Sequence, residues 1–270
     1  MNTLSLNGKW KCKPDTDNLG IKQKWYNFEN YDISDETLID IDIPRSFNLI
    51  DGFELFEGIF WHFHQFNLLE DLNTMNFDYI LRFKGSNYNT KVWINGSFVG
   101  THDGGFTPFE IDVTKFIKLI NNFLVVRSEN TRKKTRIPSL SFDWFNWGGI
   151  YRKVDLLILN KKRIKDLIIK TCLIKKNRCK IEIFYKTIGA PSIRWEIREV
   201  LRHKLFFEGL IFEENTNKKI EIIFNNPKLW SPNTPHLYTL KLFRNDLKIS
   251  NDLLYETTFG IRQIEVYGTS

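Results

Sequence analysis

Apolar and polar residues alternate along most of this chain, and a period of two predicts β-strands rather than helices. Before residue 160, the alternating segments bounded by turn residues are IDIPRSF, IFWHFHQFNL, DYILRFKG, KVWINGSFVG, NFLVVRSEN and GIYRKVDLLIL. Asn95-Gly96 separates two apolar runs, and both residue types tolerate positive φ, so we predict a type I′ hairpin there. With Ser97 these residues also form an N-glycosylation triplet, but without a visible secretory signal the turn is the favoured interpretation.

The sequence pattern changes after Asn160, where a short charged junction, KKRIKD, precedes a second series of predicted strands. These segments are IKDLIIKTCLI, RCKIEIFYKTI, SIRWEIREV, KLFFEGLIF, KKIEIIF, HLYTLKLF and TTFGIRQIEV. Their number and spacing favour an antiparallel sandwich of immunoglobulin type, and no long amphipathic helix points to an α/β fold. We therefore predict an all-β chain, with a jelly-roll β-sandwich over residues 1–160 and an immunoglobulin-like β-sandwich over 161–266. Residues 267–270 form a short tail in this division.

The composition is that of a folded protein, because 42% of the 270 residues are hydrophobic and 15% are aromatic. No apolar run approaches the length of a membrane-spanning helix, so no membrane association is expected. The N-terminal stretch MNTLSLNGKWKCKPD lacks the hydrophobic segment of a secretory signal. We therefore expect a cytoplasmic location.

The net charge of +7 raises the question of an anionic partner. The densest basic stretch, Arg132–Arg136, precedes a proline and is expected to be a solvated loop, and nucleic-acid binding is not expected. Cys172 and Cys179 flank a turn and could face each other across a hairpin, but with Cys12 they are expected to be reduced thiols. No zinc motif is present, and no metal or cofactor is expected.

The segment FDWFNWGGIYRKV, residues 142–154, places bulky aromatic residues next to two glycines, the residue type with the most flexible backbone. Trp144, Phe145 and Trp147 are costly to leave in water without a partner. Gly148-Gly149 indicates that the chain bends sharply or is closely approached there.

Taken in order, these segments resemble the N-terminal part of family 2 glycoside hydrolases, which include β-galactosidases, β-glucuronidases and β-mannosidases. The segments that carry the resemblance are LNGKW, IDIPRSFN, GIFWHFHQF, RFKGSNYNTKVWINGSFVGTHDGGFTPFEIDVT, NNFLVVRSENTR, DWFNWGGIYRKV, PKLWSPNTPHLYTLKL and TTFGIRQIEV. Each is weak by itself, but their order and spacing are specific. The resemblance implies a jelly-roll domain of the galactose-binding type and an immunoglobulin-like domain, which in the family precede a (β/α)₈ barrel.

The resemblance also implies a sugar contact within this segment. Asp143 matches the position from which relatives extend an aspartate toward the bound sugar, and carboxylates suit neighbouring hydroxyls because they accept two hydrogen bonds. Trp144, Asn146 and Trp147 are predicted to be substrate-binding residues beside it. The alternative interpretation is that Asp143 caps a turn and the aromatics belong to the core.

Catalysis in the family requires two carboxylates, which relatives carry as glutamates on the barrel. This chain has no Asn-Glu pair of the kind that holds the acid/base and no barrel-length segment, so we predict no catalytic residue here. Asp103 is expected to be a turn residue and Glu213-Glu214 a solvated loop pair. His62 and His64 share one face of a strand, where a sheet-surface or interface role is favoured over a metal site.

Three functions follow from these predictions. The first is the non-catalytic N-terminal portion of a β-glycosidase of the β-glucuronidase or β-galactosidase kind, truncated and inactive alone. The second is a stand-alone carbohydrate-binding module that presents Trp144 and Trp147 to sugars. The third is a scaffold that docks a separately encoded catalytic barrel through an exposed apolar surface.

Overall fold

The structure is a computed structural model that describes residues 2–27, 37–68, 76–175, 177–189, 192–212, 217–245, 253–264 and 268. The chain divides into two compact units, Met1–Asn160 and Lys161–Ser270. Regular structure within the described ranges is antiparallel strand, apart from one 3₁₀ turn at Phe47–Leu49. No helix in those ranges is long and apolar enough to span a membrane.

The described residues of the first unit form ten strands. They are β1 (Asn2–Ser5), β2 (Gly8–Pro14), β3 (Ile39–Ile43), β4 (Ile59–Phe66), β5 (Phe77–Phe83), β6 (Asn89–Ile94), β7 (Ser97–Asp103), β8 (Phe109–Asp112), β9 (Asn122–Glu129) and β10 (Val154–Asn160). They form a four-stranded sheet in the order β1-β10-β5-β8 and a six-stranded sheet in the order β3-β2-β4-β9-β6-β7. The two sheets enclose one apolar cluster, so the unit is a jelly-roll β-sandwich.

The central strands β4 and β9 of the six-stranded sheet are buried on both faces. The inner face of this sheet contributes Phe60 and Val126 to the cluster between the sheets, while its outer face carries Trp61 and Trp93. Residues 15–27 cover that outer face, with Trp25 edge-on to Trp61 at a ring distance of 5.9 Å. A strand buried on both sides reads as a continuous apolar run, which is the pattern of β9.

Asp15 fixes the covering segment to the sheet. Its carboxylate accepts hydrogen bonds from the backbone N–H groups of Leu19 and Gly20, at 2.7 and 3.0 Å, and from the indole N–H of Trp61, at 2.9 Å. Asp15 is buried, so each of these donors replaces water that the carboxylate lost on folding.

The predicted hairpin at Asn95-Gly96 is confirmed. Asn95 and Gly96 have φ values of 49° and 82° and connect β6 to β7. The Asn95 side chain also accepts a hydrogen bond from the backbone N–H of Phe123, at 2.8 Å, which ties the turn to β9.

The second unit contains seven strands within the described residues. They are β11 (Arg163–Lys175), β12 (Arg178–Ile188), β13 (Ser192–Glu199), β14 (Leu205–Phe212), β15 (Asn217–Asn225), β16 (Tyr238–Arg244) and β17 (Leu253–Phe259). A three-stranded sheet, β11-β12-β15, and a four-stranded sheet, β14-β13-β16-β17, enclose their own apolar cluster. The predicted immunoglobulin-like sandwich, and with it the all-β fold, is confirmed.

Buried acids are paired in this second unit. Glu199 is 2% exposed and lies 2.8 Å from the ammonium of Lys228. The hydrogen bond from Lys228 outweighs the cost of burial and lowers the pKa of Glu199 below its ordinary value. This ion pair attaches the loop before Trp230 to the end of β13.

Some predicted strand limits were wrong. β3 ends at Ile43, because Pro44 cannot donate to the ladder, and the predicted IDIPRSF continues into the 3₁₀ turn. β17 ends at Phe259, earlier than the segment TTFGIRQIEV suggests, and residues 260–264 are irregular. Glu213-Glu214 and all but residue 268 of the 267–270 tail lie outside the described residues.

The predicted surface position of His62 was wrong. His62 is wholly buried on the inner face of β4, while half-buried His64 stacks on Trp10 at a ring distance of 4.7 Å. Burial lowers the pKa of each histidine to about 4. Cys179 lies opposite Leu173, and Cys172 lies opposite Lys180, so the two thiols do not face each other across the β11–β12 pair.

Acid is expected to destabilise the first unit before its carboxylates titrate. Unfolded His62 binds a proton near pH 6.5, whereas folded His62 does so only near pH 4. Over this window the unfolded state holds more protons, so the unfolding free energy falls as the pH drops, by up to about 3 kcal/mol for His62. Urea unfolding at several pH values between 7 and 4 measures this slope, the change of the unfolding free energy with pH.

A His62→Met variant provides the control for this slope. It removes the buried imidazole and keeps an apolar side chain, so its stability should depend less steeply on pH. The slope due to His64 should remain. An unchanged slope in the variant would mean that another group causes the acid sensitivity.

Candidate functional site

An aromatic loop, defined here as residues 139–147, lies within the connection between β9 and β10 and presents four large rings to solvent. Trp144 is 66% exposed, Phe142 is 52%, Phe145 is 53% and Trp147 is 40%. Three of the rings contact one another: Phe145 lies edge-on to Trp144 at a ring distance of 6.0 Å and is tilted against Trp147 at 5.6 Å. These rings are therefore not part of the core, in contrast to the alternative raised from the sequence.

The Gly148-Gly149 pair returns the chain from this loop to the sandwich. Gly149 has a φ of +89° and exchanges two backbone hydrogen bonds of 3.0 Å with Asn87. A Cβ at Gly149 would lie 2.9 Å from Cδ1 of Phe47, and one at Gly148 would overlap the same ring. Glycine is needed here both for the left-handed backbone and for the close approach of Phe47.

Buried asparagines hold the base of the loop. Asn130 is 1% exposed, accepts a hydrogen bond from the backbone N–H of Gly58 at 2.8 Å, and donates to the carbonyl of Asn146 at 2.7 Å. The Asn146 side chain donates in return to the carbonyl of Asn130. A paired amide suits this position because it both donates and accepts, which irregular buried backbone requires.

Two further asparagines complete this network on its other side. Asn87 donates to the side-chain oxygen of Asn146, at 3.1 Å, and to the carbonyl of Trp147, at 2.7 Å. Asn48 accepts from the backbone N–H of Gly148, at 2.7 Å. The backbone of the loop is thereby hydrogen-bonded from both sides, while its aromatic rings remain exposed.

Arg132 holds the outer part of the loop, so the prediction that the basic stretch is a solvated loop was wrong at this residue. Its guanidinium donates to the carbonyls of Phe142, at 2.8 Å, and Trp144, at 2.6 Å, the two residues that flank Asp143. Its Nε lies 2.8 Å from a carboxylate oxygen of Glu57. The planar guanidinium can make these contacts at once because its donors are fixed in one plane.

Arg136, in the same basic stretch, is also partly buried. It lies 3.0 Å from Glu129, whose carboxylate also faces Arg127, at 3.3 Å. Burial alone would raise the pKa of Glu129, but the hydrogen bond from Arg136 and the neighbouring cations outweigh it and lower that pKa. Glu129 is therefore held as an anion that anchors the basic stretch beside β9.

Asp143 lies at an open cavity of about 310 Å³, called the polar cavity here because four charged side chains border it together with apolar ones. Its lining includes Glu54, Glu57 and Arg132, the apolar Leu55 and Phe56, and the aromatic loop with Asp143. Asp143 is exposed, and no hydrogen bond or ion pair of its carboxylate occurs within the described part of the chain. The Asp143 carboxylate therefore has free acceptor sites, and Arg132 holds the backbone of the residues before and after it by hydrogen bonds.

A second, larger cavity of about 610 Å³ lies against the same loop. Its wall is mainly apolar and includes Phe106, Ile137 and Trp147. Phe142, Trp144, Phe145 and Asn146 border both cavities. The aromatic loop therefore separates a polar cavity from an apolar one.

The predicted site residues fall into two groups. Asp143 and Trp144 are exposed at the polar cavity, and Trp147 lines the apolar one. Asn146 borders both cavities but is 8% exposed, and its amide is hydrogen-bonded to protein atoms. Sugar contact by these four residues stays a prediction.

Sequence reasoning missed Arg132 and three of the supporting asparagines, Asn48, Asn87 and Asn130. Asp103 accepts a hydrogen bond from the Asn89 side chain, at 2.9 Å, at the end of β7. No group of three His, Cys, Asp or Glu side chains that could hold a metal ion occurs among the residues that the structure describes.

Comparison with known proteins identifies both units. Residues 3–160 match the family model described as glycosyl hydrolases family 2, sugar binding domain, and residues 162–262 match the model described as glycosyl hydrolases family 2. The sequence is 33% identical over 198 residues to a β-galactosidase of Thermoanaerobacter pseudethanolicus, an alignment that covers 68% of this chain and 26% of that protein. It is 26% identical over 301 aligned positions to β-glucuronidase of Felis catus, which covers 97% of this chain and 44% of that protein.

The solved structures agree with this assignment. A β-glucuronidase from an uncultured Clostridium sp. superimposes with a TM-score of 0.82 at 26% identity, over 98% of this chain and 45% of that one. The chain thus spans between about a quarter and a half of the length of these relatives. The family predicted from the order of the motifs is confirmed: the chain belongs to family 2 of the glycosyl hydrolases and carries its sugar binding domain.

Proposed function

We propose that this chain supplies the sugar-contacting, non-catalytic part of a β-glycosidase, and that Asp143 binds hydroxyl groups of the terminal sugar. One observation carries the proposal: the Asp143 carboxylate is exposed at the polar cavity, without a partner among the described residues, while Arg132 fixes the backbone on either side of it. Carboxylates accept two hydrogen bonds from adjacent hydroxyls, and Trp144 offers an apolar face for the ring beside them.

The size of the polar cavity fits this assignment. Its volume of about 310 Å³ lies at the lower end of the range for small-molecule sites, as suits a single sugar ring. The loop backbone is held by Arg132 and by buried amides before any ligand arrives, so little ordering entropy is lost on binding.

The chemistry of the proposed whole enzyme lies beyond the residues of this site. Retaining hydrolysis uses an acid/base and a nucleophile whose carboxyl groups are about 5–5.5 Å apart, on opposite sides of the scissile bond. In the family these are glutamates of a barrel. Asp143 would instead orient the sugar and contribute through binding energy that positions the bond.

A second candidate function is a module that binds carbohydrate by itself. The exposure of Trp144 and Trp147 favours it, because two indole faces at one surface form a platform for sugar rings. Both functions require that this chain contacts sugar. They differ in whether the isolated chain binds the sugar tightly enough to act without a catalytic domain. A third, docking of a separate barrel, would use the same exposed rings as a protein interface.

The Asp143→Asn substitution tests the proposed function. It keeps the shape of the side chain but removes the charge, so we expect about tenfold weaker binding of methyl β-D-galactoside or methyl β-D-glucuronide. Isothermal titration calorimetry on the purified chain measures both affinities. The melting temperature should stay within about 2 °C, because no described contact of the folded chain is lost.

Asp17→Asn is the matched control, since Asp17 is exposed and lies outside both cavities. Equal affinities for the Asp143→Asn variant and the parent chain would remove Asp143 from the site. A large loss of stability in Asp143→Asn would instead support the turn-capping interpretation.

A further inference from the structure

Glu57 lies between two residues that are fixed within the first unit. Phe56, before it, packs edge-on against the buried ring of Phe60 at a ring distance of 5.5 Å. Gly58, after it, donates its N–H to the side-chain oxygen of Asn130, at 2.8 Å, and its carbonyl accepts the backbone N–H of Asn130, at 3.1 Å. The Glu57 carboxylate therefore extends from a backbone that is held on both sides.

This carboxylate contacts Arg132 at two points. One oxygen accepts a hydrogen bond from the backbone N–H of Arg132, at 3.1 Å, and the other lies 2.8 Å from its Nε. The two terminal nitrogens of the same guanidinium donate to the carbonyls of Phe142 and Trp144. Because a guanidinium is planar and its donors are fixed relative to one another, a carboxylate that holds the Nε edge sets the direction of both terminal nitrogens.

We propose that Glu57 is a positioning residue of the sugar site, which orients Arg132 so that Arg132 holds the backbone on both sides of Asp143. The inference rests on the proposed function, since Glu57 affects sugar binding only if Asp143 contacts the sugar. Glu57 also borders the polar cavity, but both of its carboxylate oxygens are engaged with Arg132. It therefore acts on the ligand through Arg132 and Asp143, and not by contact.

A Glu57→Gln substitution tests this role by calorimetry with methyl β-D-galactoside and methyl β-D-glucuronide. Glutamine can still accept the backbone N–H of Arg132, but it lacks the charge that holds the guanidinium. The backbone at Asp143 then has to be ordered when the sugar binds, so we expect about fivefold weaker binding. In an Asp143→Asn background the same substitution should cost less than about twofold, because the carboxylate that Glu57 positions is already absent.

Chymotrypsin provides a measurement that does not depend on sugar. It cleaves after aromatic residues, and the carbonyl oxygen at the cleaved bond must enter its oxyanion hole. Arg132 occupies the carbonyls of Phe142 and Trp144, so cleavage after these exposed residues should be slow in the parent chain and about tenfold faster in Glu57→Gln. Mass spectrometry of the fragments identifies each bond. Cleavage after buried Phe123 reports unfolding of the whole unit and should not accelerate.

Glu110→Gln is the matched control, because Glu110 lies 2.6 Å from Arg82 in the same unit and borders neither cavity. It should change neither the affinity nor the cleavage pattern. Equal losses of affinity for Glu57→Gln in both backgrounds would overturn the inference, because they would mean that Glu57 contacts sugar itself. Unchanged cleavage after Phe142 and Trp144 in Glu57→Gln would overturn it too, as would a matching acceleration at every aromatic residue.

The two measurements also separate this inference from the proposed function. If Glu57→Gln accelerates cleavage after Phe142 and Trp144 while neither methyl glycoside binds the parent chain, the proposed function fails. Glu57 then keeps its positioning role toward the aromatic loop. If the parent chain binds a methyl glycoside through Asp143 but Glu57→Gln binds it equally well, the proposed function stands and the inference about Glu57 fails.

Discussion

Replacing Gly149 with valine is expected to prevent stable folding of the first unit. The residue has a φ of +89°, which costs a β-branched side chain of the order of 1–3 kcal/mol in strain. The new Cβ would also lie 2.9 Å from the Phe47 ring and 3.5 Å from Nε2 of His62, both of which are buried. Overpacking adds about 1–3 kcal/mol, and the sum of about 2–6 kcal/mol reaches the lower end of the roughly 5–15 kcal/mol that stabilises an ordinary domain.

Gly52→Val separates the two contributions. Gly52 has a similar φ of +86°, but a Cβ there would meet nothing within 4 Å. We expect this control to remain folded, with a loss of about 1–3 kcal/mol from backbone strain alone. Thermal unfolding by circular dichroism compares the variants, and equal melting temperatures would show that contact with Phe47 costs little.

Replacing Asn130 with alanine is expected to have the second largest effect, a loss of about 3–4 kcal/mol. The substitution removes the acceptor of the Gly58 N–H and the donor to the carbonyls of Phe56 and Asn146. The Asn48 amide still donates to the Phe56 carbonyl, at 2.9 Å, but the Gly58 N–H and the Asn146 carbonyl would lose these partners, and each such group costs about 1–3 kcal/mol. In a unit of this size the melting temperature should fall by about 10 °C.

Sugar binding should weaken in the same Asn130→Ala variant, because Asn130 also fixes the backbone of Asn146 in the loop. Asn233→Ala is the control, since Asn233 is exposed and should change stability by less than about 0.5 kcal/mol. Urea unfolding measures both. A loss below about 1 kcal/mol in Asn130→Ala would mean that water replaces the amide, and that the loop does not depend on it.

The strands were predictable from the sequence where their signals are local. Asn95-Gly96 sits between two apolar runs, and the turn type depends only on these residues. The prediction for His62 was wrong because alternation in β4 distinguishes the two faces of the strand but does not show that both faces are buried. The outer face of its strand is covered by Trp25 and Tyr26, whose position depends on Asp15 at the start of the covering segment.

The candidate site was only partly predictable, for a related physical reason. The aromatics and Gly148-Gly149 are contiguous, so the sequence shows that something unusual occurs there. Asn48, Asn87 and Asn130 are far apart along the chain, and a single asparagine is more often a turn residue than a buried support. Arg132 lies in a run of basic residues, and nothing in the sequence distinguishes it from its neighbours as the residue that donates to two carbonyls of the loop.

One edge strand in the second unit has few features that would prevent it from pairing with a strand of another chain. β14 forms the edge of the four-stranded sheet, and its sequence LFFEGLIF holds one charged residue, Glu208. Leu210, 52% exposed, stands on this edge, and Gly209 beside it leaves room for Trp195 of β13. Natural edges usually carry lysines or prolines that block pairing with another chain. We therefore expect this edge to promote association at high concentration, and a lysine in place of Leu210 to reduce it.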